Sequence, residues 1–128
     1  MAFKGNNGKY LSRFHRSGLD NAEFAKDNTD PATRFLATES DGKLLLRSDN
    51  GKYLSRIYRG GISKIEATKA TPDDSCYFTV HNQADGTVVL QAENGKYMSR
   101  IHRGGIDYYE AEKCQIDDAC KMKLEFQL

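Results

Sequence analysis

The segment Asp107-Tyr108-Tyr109-Glu110 places two aromatic rings between two carboxylates, a combination that suits carbohydrate recognition. An aromatic face packs against the apolar patch of a sugar ring, while planar polar side chains hold its hydroxyl groups. Tyr108 is expected to face outward and Tyr109 inward. Other residues are expected to lie close to Tyr108 and Glu110 in space. We therefore predict one glycan site formed by Ser99, Arg103, Tyr108, Glu110, Asp117 and Lys121.

Basic side chains recur along the chain and could hold acidic partners such as sialylated glycans, phosphoinositides or acidic segments of actin. Arginine suits this role because its guanidinium contacts a carboxylate through two hydrogen bonds. The alternative, favoured by the net charge of only +1, is that most of them pair with acids on a solvated surface. That charge also argues against non-specific binding to nucleic acid. The bases are Lys9, Arg13, Arg16, Lys52, Arg56, Arg59, Lys96, Arg100 and Arg103, and the nearby acids include Asp20, Glu23, Glu66 and Glu110.

The three cysteines indicate structural roles. Cys76 and Cys120 occupy matching positions, where the first third of the chain has Thr33, and such a position favours a small buried side chain. Cys114 and Cys120 are close enough in sequence to form a disulfide, but three cysteines without a signal peptide favour reduced thiols.

The histidines show no arrangement that suits chemistry. His15 and His102 align with Tyr58, so this position is expected to hold a packed ring, while His81 is a weaker candidate for a glycan contact. No Cys and His spacing suits a metal ion, and no Ser-His-Asp, Cys-His or paired-carboxylate pattern suits catalysis. We therefore expect no metal, no cofactor and no enzymatic activity.

Internal repetition determines how these residues must be positioned. One heptad occurs three times, at spacings of 43 and 44 residues, so residues 1–128 are interpreted as one domain of three repeats, about 1–43, 44–87 and 88–128. The three copies are Asn7-Gly8-Lys9-Tyr10-Leu11-Ser12-Arg13, Asn50-Gly51-Lys52-Tyr53-Leu54-Ser55-Arg56 and Asn94-Gly95-Lys96-Tyr97-Met98-Ser99-Arg100.

Each repeat is predicted to form four short strands. Asn50-Gly51 is typical of a type I′ hairpin turn, Gly60-Gly61 predicts a second tight turn, and 62–68 alternates as a strand should. One repeat cannot bury its apolar face alone, whereas three repeats around a pseudo-threefold axis share a core and remove the exposed edges. The sequence therefore predicts an all-β protein with the β-trefoil fold. We expect two core layers and a hairpin cap, formed respectively by Leu11, Leu54 and Met98, by Phe35, Phe78 and Met122, and by Leu19, Ile62 and Ile106.

The Asn-Gly-Lys-Tyr-Leu-Ser motif in three copies resembles the fascin and hisactophilin branch of the β-trefoils, over the whole chain. Three departures matter: the chain has only three histidines, it lacks the Trp of the Gln-x-Trp motif in ricin-type lectins, and its length suits one trefoil rather than several. In size and triplication it is similar to the small single-domain lectins of bivalve molluscs and other invertebrates.

This resemblance implies a non-catalytic lectin that recognises a galactose-type or sialylated oligosaccharide on a glycoprotein or glycolipid. A homodimer is expected, because two weak sites presented together gain avidity. Tyr108 could instead lie in the dimer contact or cover the barrel. The alternative function, also implied by the resemblance, is an actin-binding cytoskeletal module of the fascin or hisactophilin kind.

Two expectations concern the location of the protein. The longest apolar runs are 44–46 and 88–90, too short for membrane insertion. The sequence turns polar directly after Met1-Ala2-Phe3, which predicts no signal peptide and hence a cytoplasmic or non-classically secreted protein.

Overall fold

The computed structural model describes residues 1–126, which form twelve β-strands and three short 3-10 helices. Each repeat contributes four strands, with one 3-10 helix before its last strand. The first repeat contains β1 (Ala2–Lys4), β2 (Tyr10–Arg16), β3 (Leu19–Lys26), η1 (Pro31–Thr33) and β4 (Leu36–Ser40). The second contains β5 (Lys43–Arg47), β6 (Tyr53–Arg59), β7 (Ile62–Lys69), η2 (Asp74–Cys76) and β8 (Tyr77–Asn82). The third contains β9 (Val88–Gln91), β10 (Tyr97–Arg103), β11 (Ile106–Lys113), η3 (Asp118–Cys120) and β12 (Lys123–Glu125).

Strand pairing relates the three repeats and confirms the predicted β-trefoil. The heptad tyrosines Tyr10, Tyr53 and Tyr97 pair with Lys26, Lys69 and Lys113, and each hairpin has a register shift directly after its tyrosine. The second strands of the three hairpins, β3, β7 and β11, pair with one another and form the hairpin cap. Within residues 1–126 there is no helix long and apolar enough to cross a membrane.

The Asn-Gly step of the heptad forms a different turn from the predicted type I′. Only Gly51 has a positive φ, of 80°, whereas a type I′ turn needs positive φ at both central residues. Asn50 instead accepts a hydrogen bond from the Lys52 amide at 2.9 Å and donates one to the Ala67 carbonyl at 3.1 Å. The asparagine side chain thus ties the turn to β7, and Asn7 and Asn94 do the same in the other repeats.

The type I′ geometry occurs in the tight turn between the two long strands of each hairpin. Gly60 and Gly61 have φ values of 57° and 83°, and Arg59 pairs directly with Ile62. Glycine adopts these angles without a steric penalty. The two-residue turn fixes the register of the hairpin, and the register decides which side chains share a face.

The core follows the predicted layers. Leu11, Leu54 and Met98 are fully buried. Phe35, Phe78 and Met122 form the second buried set, and Tyr109 is buried with its ring edge-on to Phe24. The cap residues Leu19, Ile62 and Ile106 are half-buried, and the matched positions Thr33, Cys76 and Cys120 are buried as expected.

Leu54→Ala is expected to destabilise the protein by about 2–5 kcal/mol, because it leaves a cavity in the shared core. Leu36→Ala is the matched control, since the Leu36 side chain is 67% exposed and its truncation should change stability by no more than about 0.5 kcal/mol. Urea unfolding followed by circular dichroism measures both. Similar losses for the two variants would contradict this assignment of the core.

The hairpin cap also encloses three glutamates. Glu23, Glu66 and Glu110 lie on β3, β7 and β11, and their side chains are fully buried. Each carboxylate accepts two hydrogen bonds from the arginine at the end of the preceding strand of its own hairpin. The partners are Arg16, Arg59 and Arg103, with N–O distances of 2.8–3.2 Å. These hydrogen bonds raise the pKa of each arginine, and the arginines remain partly exposed.

Arg103→Met is expected to destabilise the protein by roughly 3 kcal/mol, because it leaves the buried Glu110 charge without a partner. Glu110→Gln is expected to cost less, about 1–2 kcal/mol, because the half-exposed Arg103 regains water. Thermal and urea unfolding of the two variants at pH 7 provide the comparison. A greater loss of stability in Glu110→Gln than in Arg103→Met would show that Arg103 does not stabilise the protein by neutralising a buried charge.

Candidate functional site

The six side chains of the predicted glycan site do not form one surface. Ser99 and Glu110 are direct cross-strand neighbours, as predicted, but both are fully buried. Glu110 is occupied by Arg103, and Ser99 Oγ finds no hydrogen-bond partner among the described residues. The prediction is corrected for Ser99 and Glu110, because a ligand in solution cannot reach side chains enclosed by the cap.

Tyr108 is only half-buried, but a cation covers its ring. Lys64 on β7 places its ammonium group 4.5 Å from the ring centroid, at a distance typical of a cation–π interaction. The strands explain the contact, because Lys64 pairs with Glu110 across the cap. A sugar would have to displace Lys64 before it could stack on this face of Tyr108.

Asp117 and Lys121 have other surroundings. Asp117 caps η3 by accepting a hydrogen bond from the Ala119 amide at 3.0 Å, and its ion pair with Lys113 lowers the pKa of its carboxyl group. Lys121 lines a separate groove to which none of the other five predicted residues contributes. The structure therefore brings together Ser99, Glu110 and Arg103, as part of the cap rather than as an accessible site.

All three cysteines are free thiols, so the disulfide between Cys114 and Cys120 is not formed. Burial raises the pKa of the Cys120 thiol to about 11 and also raises that of Cys76. Cys114 is exposed, with the Lys96 ammonium group 3.0 Å from its sulfur. Residues 1–126 contain no cluster of three or more His, Cys, Asp or Glu side chains arranged to hold a metal ion.

The prediction that His15 and His102 are packed rings is wrong. Both are more than half exposed, and each ring places Nδ1 3.0 Å from an aspartate on the opposite strand, Asp20 or Asp107. The second repeat has Tyr58 at this position. The histidines are therefore held by hydrogen bonds on the surface, where a ring needs no apolar surroundings.

Two accessible cavities lie on the barrel, between one repeat and the next, whereas another, of about 410 Å³, opens beside the hairpins, where Arg16, Ala25 and Gly105 line it. Strand pairs Lys4–Lys123, Leu36–Arg47 and Thr79–Gln91 occupy equivalent places in the three repeats. The residues that follow the 3-10 helices are equivalent as well, namely Arg34, Tyr77 and Lys121. Two grooves open at such positions. We name them by their distinctive residues as the Tyr77 groove, lined by Lys43, Asp74, Tyr77, Thr79, Gln91, Ala92, Glu93 and Gly95, and the lysine groove, lined by Lys4, Gly5, Asn6, Asp85, Thr87, Asp118, Lys121 and Lys123.

The Tyr77 groove has a volume of about 550 Å³ and combines one aromatic ring with several polar groups. Tyr77 and Thr79 alternate with the buried Phe78 on β8, so both point outward. Thr79 pairs with Lys43 on β5 and with Gln91 on β9, which places these three side chains side by side. Aromatic, hydroxyl, amide and ammonium groups therefore share one outward face.

Hydrogen bonds fix the polar rim of the Tyr77 groove. The Gln91 amide donates to the Gly95 carbonyl at 2.9 Å, and its oxygen lies 2.8 Å from His81 Nε2. The Glu93 carboxylate accepts hydrogen bonds from Arg56 of the preceding repeat at 2.6 and 3.3 Å. Each of these groups keeps capacity for a further hydrogen bond, so the rim is pre-organised and still able to bind.

The sequence contains a signal for Tyr77 that the predicted glycan site does not include. Tyr77 and Lys121 directly follow the matched cysteines Cys76 and Cys120, so the two are equivalent. The prediction included Lys121 but not its aromatic counterpart. An outward position that changes from arginine to tyrosine to lysine between repeats carries no structural requirement shared by all three, and this variation could have identified the grooves.

Comparison with family models finds no match. A curated relative, peptide Hact-3 of Heliofungia actiniformis, is 83% identical over 30 residues, which are 23% of this chain and 86% of the peptide. Among solved structures, the designed threefold-symmetric protein ThreeFoil matches with a TM-score of 0.80 at 15% identity, covering 95% of this chain and 94% of that one. Hisactophilin matches with a TM-score of 0.66 at 22% identity, covering 95% and 93%.

A mosquitocidal holotoxin also matches, with a TM-score of 0.79 at 9% identity over 95% of this chain. The chain spans only 16% of the length of that holotoxin. At these identities the solved structures establish the β-trefoil fold alone. The stretch shared with the peptide is far more similar, and the chain belongs to the same family as peptide Hact-3.

Proposed function

We propose that the protein is a non-catalytic carbohydrate-binding module and that its oligosaccharide ligand lies in the Tyr77 groove. The observation that carries the proposal is the outward face on which Tyr77 stands beside Thr79, Gln91 and Lys43. A sugar needs an aromatic surface for its apolar C–H groups and planar polar groups for its hydroxyls, and this face offers both.

The hydrogen bonds of the rim support this proposal. Gln91 and Glu93 are held by His81, Gly95 and Arg56, so little side-chain entropy is lost when a sugar hydroxyl binds to them. The groove carries both signs of charge, from Lys43, Asp74 and Glu93. A neutral, galactose-type oligosaccharide is the ligand that this balance favours, and Lys43 would be the group that contacts the carboxylate of a sialylated one.

Binding to actin through the repeated basic residues has less support. Six of these bases are arginines, and all six donate hydrogen bonds within the protein: Arg13, Arg16, Arg56, Arg59, Arg100 and Arg103. An acidic partner would have to compete with these internal contacts. A homodimer remains part of the proposal, because two Tyr77 grooves on one particle would bind a surface glycan with greater avidity.

Tyr77→Ala is expected to weaken oligosaccharide binding at least tenfold, because the sugar loses its stacking surface. Tyr58→Ala is the matched control, since Tyr58 is 68% exposed on the β6–β7 hairpin and does not line the groove. The wild type would first be screened on an array of galactose-terminated and sialylated glycans. Calorimetry with the strongest ligand would then compare the variants, with circular dichroism as the check of folding.

Two results would contradict the proposal. One is a wild-type protein that binds no glycan on the array but pellets with filamentous actin in low salt and is released in high salt, as expected for binding through bases. The other is glycan binding that survives Tyr77→Ala and is lost in Tyr108→Ala, which would place the ligand on the hairpin cap.

A further inference from the structure

Two lysines stand directly opposite each other where the first and last described strands meet. Lys4 on β1 pairs with Lys123 on β12, and a third lysine, Lys121, lines the same groove of about 320 Å³. Like charges on directly opposed residues destabilise a sheet. The equivalent pairs in the other repeats, Leu36–Arg47 and Thr79–Gln91, contain no such repulsion.

The surroundings of the lysine groove compensate this charge only in part. Neither Lys4 nor Lys123 forms an ion pair with any residue within 1–126. Lys121 lies 3.8 Å from Asp85 and 3.6 Å from Asp118, and both aspartates are largely exposed. The groove thus contains three ammonium groups and two carboxylates, of which Asp85 also accepts hydrogen bonds from the Thr87 amide at 3.0 Å and the Thr87 hydroxyl at 2.6 Å.

A second difference makes the lysine groove more positive than its counterparts. At each junction an arginine of one repeat donates a hydrogen bond to the next repeat: Arg13 to Asp49, Arg56 to Glu93, and Arg100 to Asn6. The acceptor is a carboxylate in the first two cases but a neutral amide, at 2.8 Å, in the third. Asn6 lines the lysine groove, so a negative charge is absent from the rim where Glu93 provides one in the Tyr77 groove.

We propose that the lysine groove binds a sulfate ester carried by a saccharide. The ammonium group of lysine is a compact charge with three donors that can turn toward separate oxygens. Lys4 and Lys123 pair across neighbouring strands and line the groove with Lys121. The Lys4 ammonium group lies 5.4 Å from the centroid of the Tyr10 ring, so it would turn away from that ring when a tetrahedral oxyanion accepts hydrogen bonds from both lysines. The saccharide carrier rests on the proposed function, because this groove is the threefold equivalent of the Tyr77 groove, whereas the preference for an oxyanion rests on the lysines alone.

The binding test uses the full chain and two matched ligands, a heparin-derived hexasaccharide and the same hexasaccharide after chemical desulfation. Calorimetry at 50 mM NaCl should detect binding of the sulfated form only. Raising the salt to 300 mM should weaken that binding about tenfold, because salt screens exposed charges. Equal binding of the desulfated form would overturn the proposal.

The double variant Lys4→Gln/Lys123→Gln should weaken binding of the sulfated hexasaccharide at least tenfold. Lys52→Gln/Lys69→Gln removes the same charge outside both grooves and should change affinity less than twofold. The first variant should also melt at a higher temperature than the wild type without ligand, because it relieves the repulsion between β1 and β12. Equal losses of affinity in the two variants would show a non-specific charge effect and overturn the proposal.

Two further binding measurements distinguish the proposed sulfate site from the proposed glycan site in the Tyr77 groove. Tyr77→Ala should retain sulfated-hexasaccharide binding, and Lys4→Gln/Lys123→Gln should retain binding of neutral glycans. A wild type that binds the sulfated hexasaccharide but no neutral glycan would exclude the Tyr77 groove as a glycan site and would still support the sulfate site in the lysine groove. Tighter binding to phosphoinositide-containing vesicles, lost in Lys4→Gln/Lys123→Gln, would overturn the saccharide as carrier.

Discussion

Three buried glutamates constrain the rest of the structure. Glu23, Glu66 and Glu110 lie where β3, β7 and β11 pair, and a carboxylate enclosed there is tolerated only with a counter-charge held by good geometry. Each counter-charge comes from an arginine of the same hairpin, seven residues earlier. Arginine and glutamate must therefore lie on the same face of the hairpin, which makes the strand register critical.

The tight turn sets that register. With two residues in the turn, Arg59 faces Ile62 and Ser55 faces Glu66, so Arg59 and Glu66 share a face. A slip by one residue would move the arginine to the opposite face and leave the glutamate charged and alone. The turn geometry thus determines the register, and the register determines the charge pairing. This dependence occurs in all three repeats, and much of the repetition in the sequence maintains it.

The sequence predicts features that are determined within each repeat better than features that depend on contacts between repeats. The heptads, the turn residues and the apolar alternation all serve closure of the barrel, so they predicted the trefoil and its core layers. The prediction that Ser99 and Glu110 are accessible to a ligand failed, because pairing the two residues across the hairpin says nothing about which face the cap encloses. That face is decided by contacts between repeats, which a hairpin taken alone does not contain.

The histidines show a finer signal that was present in the sequence. His15 and His102 face aspartates across their hairpins, whereas Tyr58 faces Ser63. The ring and its partner change together, which indicates a polar contact rather than a shared apolar pocket. The ring is evident from the single position that the repeats share, whereas its partner is evident only from the cross-strand pair.

Positions that differ between repeats are where the three equivalent surfaces acquire different chemistry. The residue after the 3-10 helix is Arg34, Tyr77 or Lys121, and its exposure at a junction frees it from the demands of the core. The junction that joins the last repeat to the first also carries Asn6 in place of an acid. A ligand held by both Lys4 and Lys123 would tie β1 to β12, so binding there is thermodynamically linked to closure of the barrel. The groove with the least favourable internal charge is thus the one where a bound anion can stabilise the fold most.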